Sequence, residues 1–147
     1  MSAAFGTLSL TRRVQFAAAH RYRRAEWDDA RNVAAFGKCA RLEYHGHTYT
    51  VDITVSGPVD ALTGMIVDLP VLDAAIAREV TARFDHRNIN TDVAEFVEPN
   101  GLIPTGENIA RVIAERMQSA LGAAARVTRV VVAEDPTLSS AWTVGPG

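Results

Sequence analysis

His45 and His47 stand one residue apart in the run Tyr44-His45-Gly46-His47-Thr48-Tyr49-Thr50-Val51. The run alternates into an apolar strand pattern, so both imidazoles leave the same face of one strand. A third histidine, His20, closes another strand-like run, Val14-Gln15-Phe16-Ala17-Ala18-Ala19-His20. Three neutral imidazoles suit Zn²⁺, and three protein ligands leave a coordination position open for a substrate. A single histidine on an apolar face is more often a hydrogen-bonded core residue. Two buried imidazoles side by side need two sets of partners, which one metal ion satisfies at once.

Cys39 is the only cysteine and lies six residues before His45, between Lys38 and Ala40. A cation beside a thiol favours the thiolate, the form that acts as base or nucleophile. Two other readings stay open for Cys39, a buried inert thiol or a fourth ligand closing a Cys-His₃ metal shell. Asp85-His86 places a carboxylate next to an imidazole at the exit of a helix. An aspartate holding one ring nitrogen leaves the other free to exchange a proton, as does a cysteine-histidine pair oriented by a carboxylate. The plainer reading is a histidine near the negative end of a helix. Glu134 follows the apolar run Val130-Val131-Val132-Ala133, where its two oxygens could clamp a guanidine-like ligand edge or simply end a strand in solvent.

The elements that must carry these residues are readable from periodicity. Even-numbered positions from Leu8 to His20 are mostly apolar, which makes a first strand with His20 on its inward face. Residues 21–43 read as a long, functional loop, with room for a short helix between Trp27 and Phe36. His45, His47, Tyr49, Val51, Ile53 and Val55 share one parity of a second strand. Leu72, Ala75, Ile76, Val80 and Phe84 describe an amphipathic helix of about four turns. Ile109, Val112, Ile113, Met117, Ala120 and Leu121 describe another, with Thr105 as its N-cap and Glu107 near its positive end. Val127–Ala133 and Leu138–Val144 complete the order β, β, α, α, β, β, an α+β arrangement.

Composition narrows the classes. The 147 residues, 48% hydrophobic, are the size of one domain spanning 1–147. A net charge of −2 gives no basic field of the kind nucleic-acid binding needs. The start, Met1-Ser2-Ala3-Ala4-Phe5-Gly6, lacks a charged region leading into an apolar core, and no run reaches the roughly 18 apolar residues of a membrane span. The expectation is a cytoplasmic protein with no nucleic-acid or membrane partner. The lone cysteine excludes an intrachain disulfide.

Together, Phe16-Ala17-Ala18-Ala19-His20, Phe36-Gly37-Lys38-Cys39 with His45-Gly46-His47, Asp85-His86-Arg87-Asn88-Ile89-Asn90, Pro104-Thr105-Gly106-Glu107-Asn108 and Glu134 resemble the 6-pyruvoyltetrahydropterin synthase family. That family includes the bacterial 6-carboxytetrahydropterin synthase of queuosine biosynthesis. The resemblance implies the tunnelling fold (T-fold), a four-stranded antiparallel sheet with two helices on one face. It further implies trimers that close a β-barrel and stack as a homohexamer, with active sites at subunit interfaces. It implies a lyase acting on 7,8-dihydroneopterin triphosphate, with Zn²⁺ on His20, His45 and His47 acidifying the side-chain hydroxyls of the substrate. Cys39 would be the base, Asp85 and His86 its proton relay, and Glu134 the anchor of the pterin's pyrimidine edge, helped by Thr105 and Glu107. Five residues separate Cys39 from His45, a length that leans to the pyruvoyl product over the carboxy product. Asp135 stands where the family commonly has a threonine.

Overall fold

The computed structural model describes residues 6–145; Met1–Phe5, on which the reading of the amino-terminal start partly rests, and Pro146–Gly147 lie outside them. Strand β1 (Ser9–His20) pairs antiparallel with β2 (His45–Ser56) along their whole length, with Phe16 opposite Tyr49, Ala18 opposite His47 and His20 opposite His45. β2 pairs with β4 (Arg126–Asp135), and β4 with β5 (Leu138–Thr143), both antiparallel. The sheet is not the expected four strands but five, because the two-residue strand β3 (Arg87–Asn88) adds in parallel to β1, giving the order β3-β1-β2-β4-β5. So short a strand carries no period to read. The sheet has two free edges and does not close within the chain.

The helices α1 (Asp29–Phe36), α2 (Leu69–Ile76), α3 (Ala82–Phe84), α4 (Ile89–Asp92) and α5 (Gly106–Leu121) outnumber the two expected. α1 occupies part of the segment read as a loop, and α4 is a single turn. α2 and α3 are one helical run interrupted by a π turn at Ala77–Thr81. Leu72, Ile76, Val80 and Phe84 recur every four residues, more than the 3.6 of an α-helical turn. A regular helix would carry that stripe away from the sheet; the wider turn absorbs the excess, and all four side chains are buried.

One core lies between the sheet and these helices. Phe16 stacks on Tyr49 at 5.0 Å between ring centroids and on Phe84 at 5.1 Å. Tyr49, Val51, Ile53 and Val55 of β2, Leu72, Ile109, Ile113 and Met117 are all at 0% exposure. The opposite face of the sheet carries paired polar groups: Thr11 with Thr54 at 2.8 Å, Arg13 bidentate on Asp52, and Gln15 donating to Thr50 at 3.1 Å. No helix among the described residues is long and apolar enough to cross a membrane.

Leu72 is the test of this core. Leu72→Ala leaves a cavity under the sheet and is expected to cost about 2–5 kcal/mol, measured as a fall in denaturation midpoint with unchanged slope.

Candidate active site

The β1–β2 register builds the histidine cluster. Residues directly opposite on an antiparallel pair bring their Cβ atoms within about 5.5 Å, and His20 faces His45. His47 lies two residues on, on the same face. Ring centroids are 4.6 Å apart for His20 and His45, and 5.1 Å for His47 with either neighbour. One nitrogen from each lies within 4.8 Å of the others.

His20 is fully buried, and its Nδ1 is 2.8 Å from the carbonyl of Pro104. A carbonyl only accepts, so Nδ1 carries the proton and Nε2 keeps its lone pair, the tautomer that a metal ligand needs. The Tyr49 hydroxyl lies 3.0 Å from Nδ1. Burial, then the neighbouring His45 and His47 against the opposing pull of Pro104, lowers the His20 pKa to about 4. His45 is lowered by burial and by His47, with Glu134 opposing. His47 Nε2 is buried without a hydrogen-bond partner. Two imidazoles held neutral, a fixed tautomer and an orphaned nitrogen fit a divalent cation such as Zn²⁺. Among the described residues this donor cluster holds only the three histidines, without Cys39.

Cys39 sits in a 3₁₀ turn, Gly37–Ala40, that ends the loop after β1. The loop is fastened at several points. Tyr22 N–H donates to Cys39 O at 2.7 Å, and Arg23 Nη1 to Ala40 O at 2.7 Å. Asn32, at 0% exposure, accepts from Arg24 N–H and donates through Nδ2 to the carbonyls of Arg24, Trp27 and Asp28. Arg21 is bidentate on Glu98, donates to Leu42 O at 2.6 Å and lies over the Tyr44 ring. The structure corrects the expected effect of Lys38. That side chain is exposed, and burial followed by the charge of Glu134 pushes the Cys39 thiol up.

Glu134 lies in the bulge between β4 and β5, where Ala133 pairs Ser139 and Asp135 pairs Leu138, leaving it between the two. A bulge re-aims the side chain it carries. Glu134 Oε1 accepts from the Tyr22 hydroxyl at 2.9 Å. Tyr22 is a site residue that type and spacing did not reveal; its parity as the second residue beyond His20 on the same strand direction was the one available signal. Its pKa is raised by burial first, then by Glu134, Cys39 and Glu107, so the charges of all three groups reach one phenol. Thr105 caps α5, accepting from Asn108 N–H at 3.2 Å, and Glu107 is exposed in the first turn.

Asp85 and His86 are held elsewhere. Asp85 Oδ1 accepts from Ala17 N–H at 3.0 Å, and His86 N–H donates to Ala17 O at 2.7 Å. Asp85 Oδ2 is 3.0 Å from His86 Nδ1, and the bond from Ala17, then that from His86, keeps the carboxyl below its usual range. His86 adopts φ 57°, uncommon for a non-glycine residue, and its imidazole is exposed. It lines a cleft with Ala17, Ala19 and Thr48. No hydrogen bond or ion pair joins the dyad to Cys39 or Glu134 among the described residues.

Residues 9–143 match the family described as 6-pyruvoyl tetrahydropterin synthase. A 6-pyruvoyl tetrahydrobiopterin synthase of Drosophila melanogaster is 39% identical over 127 residues, 86% of this chain and 74% of that protein. A 6-carboxy-5,6,7,8-tetrahydropterin synthase of Bacillus subtilis is 34% identical over 105 residues, 69% of this chain and 67% of that protein. The solved 6-pyruvoyl tetrahydropterin synthase of Caenorhabditis elegans superposes with a TM-score of 0.86 at 29% identity, covering 95% of this chain and 97% of its own.

Asn32→Ala leaves three part-buried carbonyls and an amide without their side-chain partner. The expected outcome is a loss of about 1–3 kcal/mol and faster alkylation of Cys39 by iodoacetamide, with the core's far-UV signal unchanged. An alkylation rate equal to wild type would show that Asn32 does not hold the loop.

Proposed function

The chain belongs to the 6-pyruvoyl tetrahydropterin synthase family, and from that premise we propose that it is a zinc-dependent carbon–oxygen lyase converting 7,8-dihydroneopterin triphosphate to 6-pyruvoyltetrahydropterin with elimination of triphosphate. The observation that carries the reading is a cluster of three histidines, one nitrogen orphaned, with a thiol and a carboxylate whose charges both reach the Tyr22 phenol. His20, His45 and His47 would hold the ion. Bound there, Zn²⁺ supplies a positive charge that acidifies the hydroxyls of the substrate side chain and stabilises enolate-like charge.

The remaining chemistry belongs to the chain's own residues. Glu134 receives the N–H donors of the pyrimidine edge, a bidentate, charge-assisted arrangement. Those donors offset the carboxylate charge that pushes Cys39 up, so the thiol becomes easier to ionise when the pterin is in place. Cys39 then removes the proton from carbon. Thr105 and Glu107, at the start of α5, border the pterin. Arg21, Arg23 and Arg24 are already paired with Glu98, Asp29 and Glu26. Arg41 and Arg87, without an ion pair among the described residues, are the better arginines for the triphosphate.

The Asp85–His86 dyad serves as proton relay. No hydrogen bond or ion pair joins the dyad to Cys39 in its own chain among the described residues, so the dyad of a neighbouring copy would complete the site, as in a homohexamer of stacked trimers whose joined sheets pair the open edges. The protein would work in the cytoplasm, as one domain, without a nucleic-acid or membrane partner. A second reading, supported by the Bacillus subtilis relative, is the 6-carboxytetrahydropterin synthase reaction on the same substrate, which releases acetaldehyde and serves queuosine biosynthesis.

Incubation with 7,8-dihydroneopterin triphosphate and mass spectrometry should give the pyruvoyl product; a carboxy product with acetaldehyde would favour the second reading, and unchanged substrate would end both. Cys39→Ala is expected to lose at least a hundredfold in turnover, the scale of general-base catalysis, while metal analysis still finds one zinc per chain. His47→Ala should lose the zinc. A second prediction concerns the shared site: chains carrying Cys39→Ala and chains carrying His86→Ala, each inactive alone, should recover activity when co-assembled. Mixed oligomers that stay inactive would place the relay elsewhere.

A further inference from the structure

We infer that Tyr22 is a positioning residue that fixes the Glu134 carboxylate in the orientation that receives the ligand. The inference rests on the reading of Glu134 as the anchor of a pterin's pyrimidine edge. Four contacts of Tyr22 support it, three of them to different parts of the site. Its hydroxyl donates to Glu134 Oε1 at 2.9 Å. Its ring stands edge-on to His20 at 5.1 Å and 80°, and to Phe36 at 6.0 Å and 80°. Its backbone N–H donates to Cys39 O at 2.7 Å. A single residue therefore spans the histidine cluster, the thiol segment and the carboxylate.

Glu134 needs such a partner. It occupies a bulge, so the strand ladder that would fix a regular position is interrupted there. Among the described residues no other donor reaches its carboxylate, and Oε2 is left without a partner. One oxygen tethered and one free is the arrangement that lets a carboxylate meet a planar pair of N–H groups in a fixed plane. The phenol is well chosen as the tether. Its ring, wedged between His20 and Phe36, gives the hydroxyl little freedom to swing, which lowers the entropic cost of holding the carboxylate.

A tether acting on substrate orientation changes binding more than chemistry, which separates it from a general packing role. Tyr22→Phe keeps the ring between His20 and Phe36 and removes only the hydroxyl. The expected result is a KM for 7,8-dihydroneopterin triphosphate raised about tenfold, equivalent to about 1.4 kcal/mol. The turnover number should stay within about twofold, with zinc content and circular dichroism unchanged. In a Glu134→Ala background the hydroxyl has no carboxylate to hold, and Tyr22→Phe should leave kcat/KM unchanged. That loss of additivity is the signature of one residue acting through the other. An unchanged KM in the single variant, or a tenfold loss that persists without Glu134, overturns the inference while wild-type turnover still stands. A wild-type chain that neither binds nor converts the substrate overturns the functional reading and this inference together.

Discussion

The antiparallel register of β1 on β2 is the constraint from which the site follows. Side chains alternate faces with a period of two, so a slip of one residue would send every inward group to the other side. Phe16, Tyr49, Val51, Ile53 and Val55 are all buried against the helices, and a one-residue slip would no longer bury them together. His20, His45 and His47 share that parity at the open end of the same two strands. The apolar packing that stabilises the sheet therefore also brings three imidazoles, distant in sequence, onto one spot. Assembling the cluster costs little beyond what folding the hairpin pair already requires.

A second interlock fixes the irregular part of the site. The segment from Arg21 to Tyr44 carries the thiol yet contains only one short helix and a 3₁₀ turn, and so little regular hydrogen bonding. Its backbone groups are satisfied by side chains instead: Asn32 inside the loop, Arg23 at Ala40, and Arg21 at Leu42. Asn90 ties the other flank, accepting from Arg21 N–H and donating to Arg21 O and Glu98. A loop held this way can place a side chain as firmly as a strand does, and the residues holding it are polar ones buried against expectation for their type.

Periodicity made the long strands and the two principal helices legible, because each buries one face over many residues. The histidine parity was legible for the same reason. β3 was not, since two residues carry no period, and the π turn was hidden in a stripe spaced by four. Tyr22 escaped notice because its role depends on a hydroxyl meeting Glu134 across the sheet, a contact set by tertiary distance and not by neighbours in the chain. Lys38 misled in the opposite direction. Adjacency in sequence suggested a thiolate, but the lysine is exposed to water while the half-buried thiol feels the Glu134 carboxylate.

The electrostatics of the assembled cleft make a final step possible. Glu134 opposes the lowering of His45 and pushes up Cys39, Tyr22 and Tyr49, so its negative charge reaches all four of these groups. The arginines nearest in sequence to the cluster, Arg21 and Arg23, spend their guanidiniums on Glu98 and Asp29. His20 and His45 are kept neutral by burial and by the neighbouring imidazoles. A partly buried carboxylate, lone pairs held ready and no positive side chain committed to them leave a site short of positive charge. Two kinds of partner answer that shortage: a divalent cation on the imidazoles and a ligand presenting N–H donors to the carboxylate. Each would lower the cost of ionising Cys39, so that in the proposed reaction binding and base strength rise together.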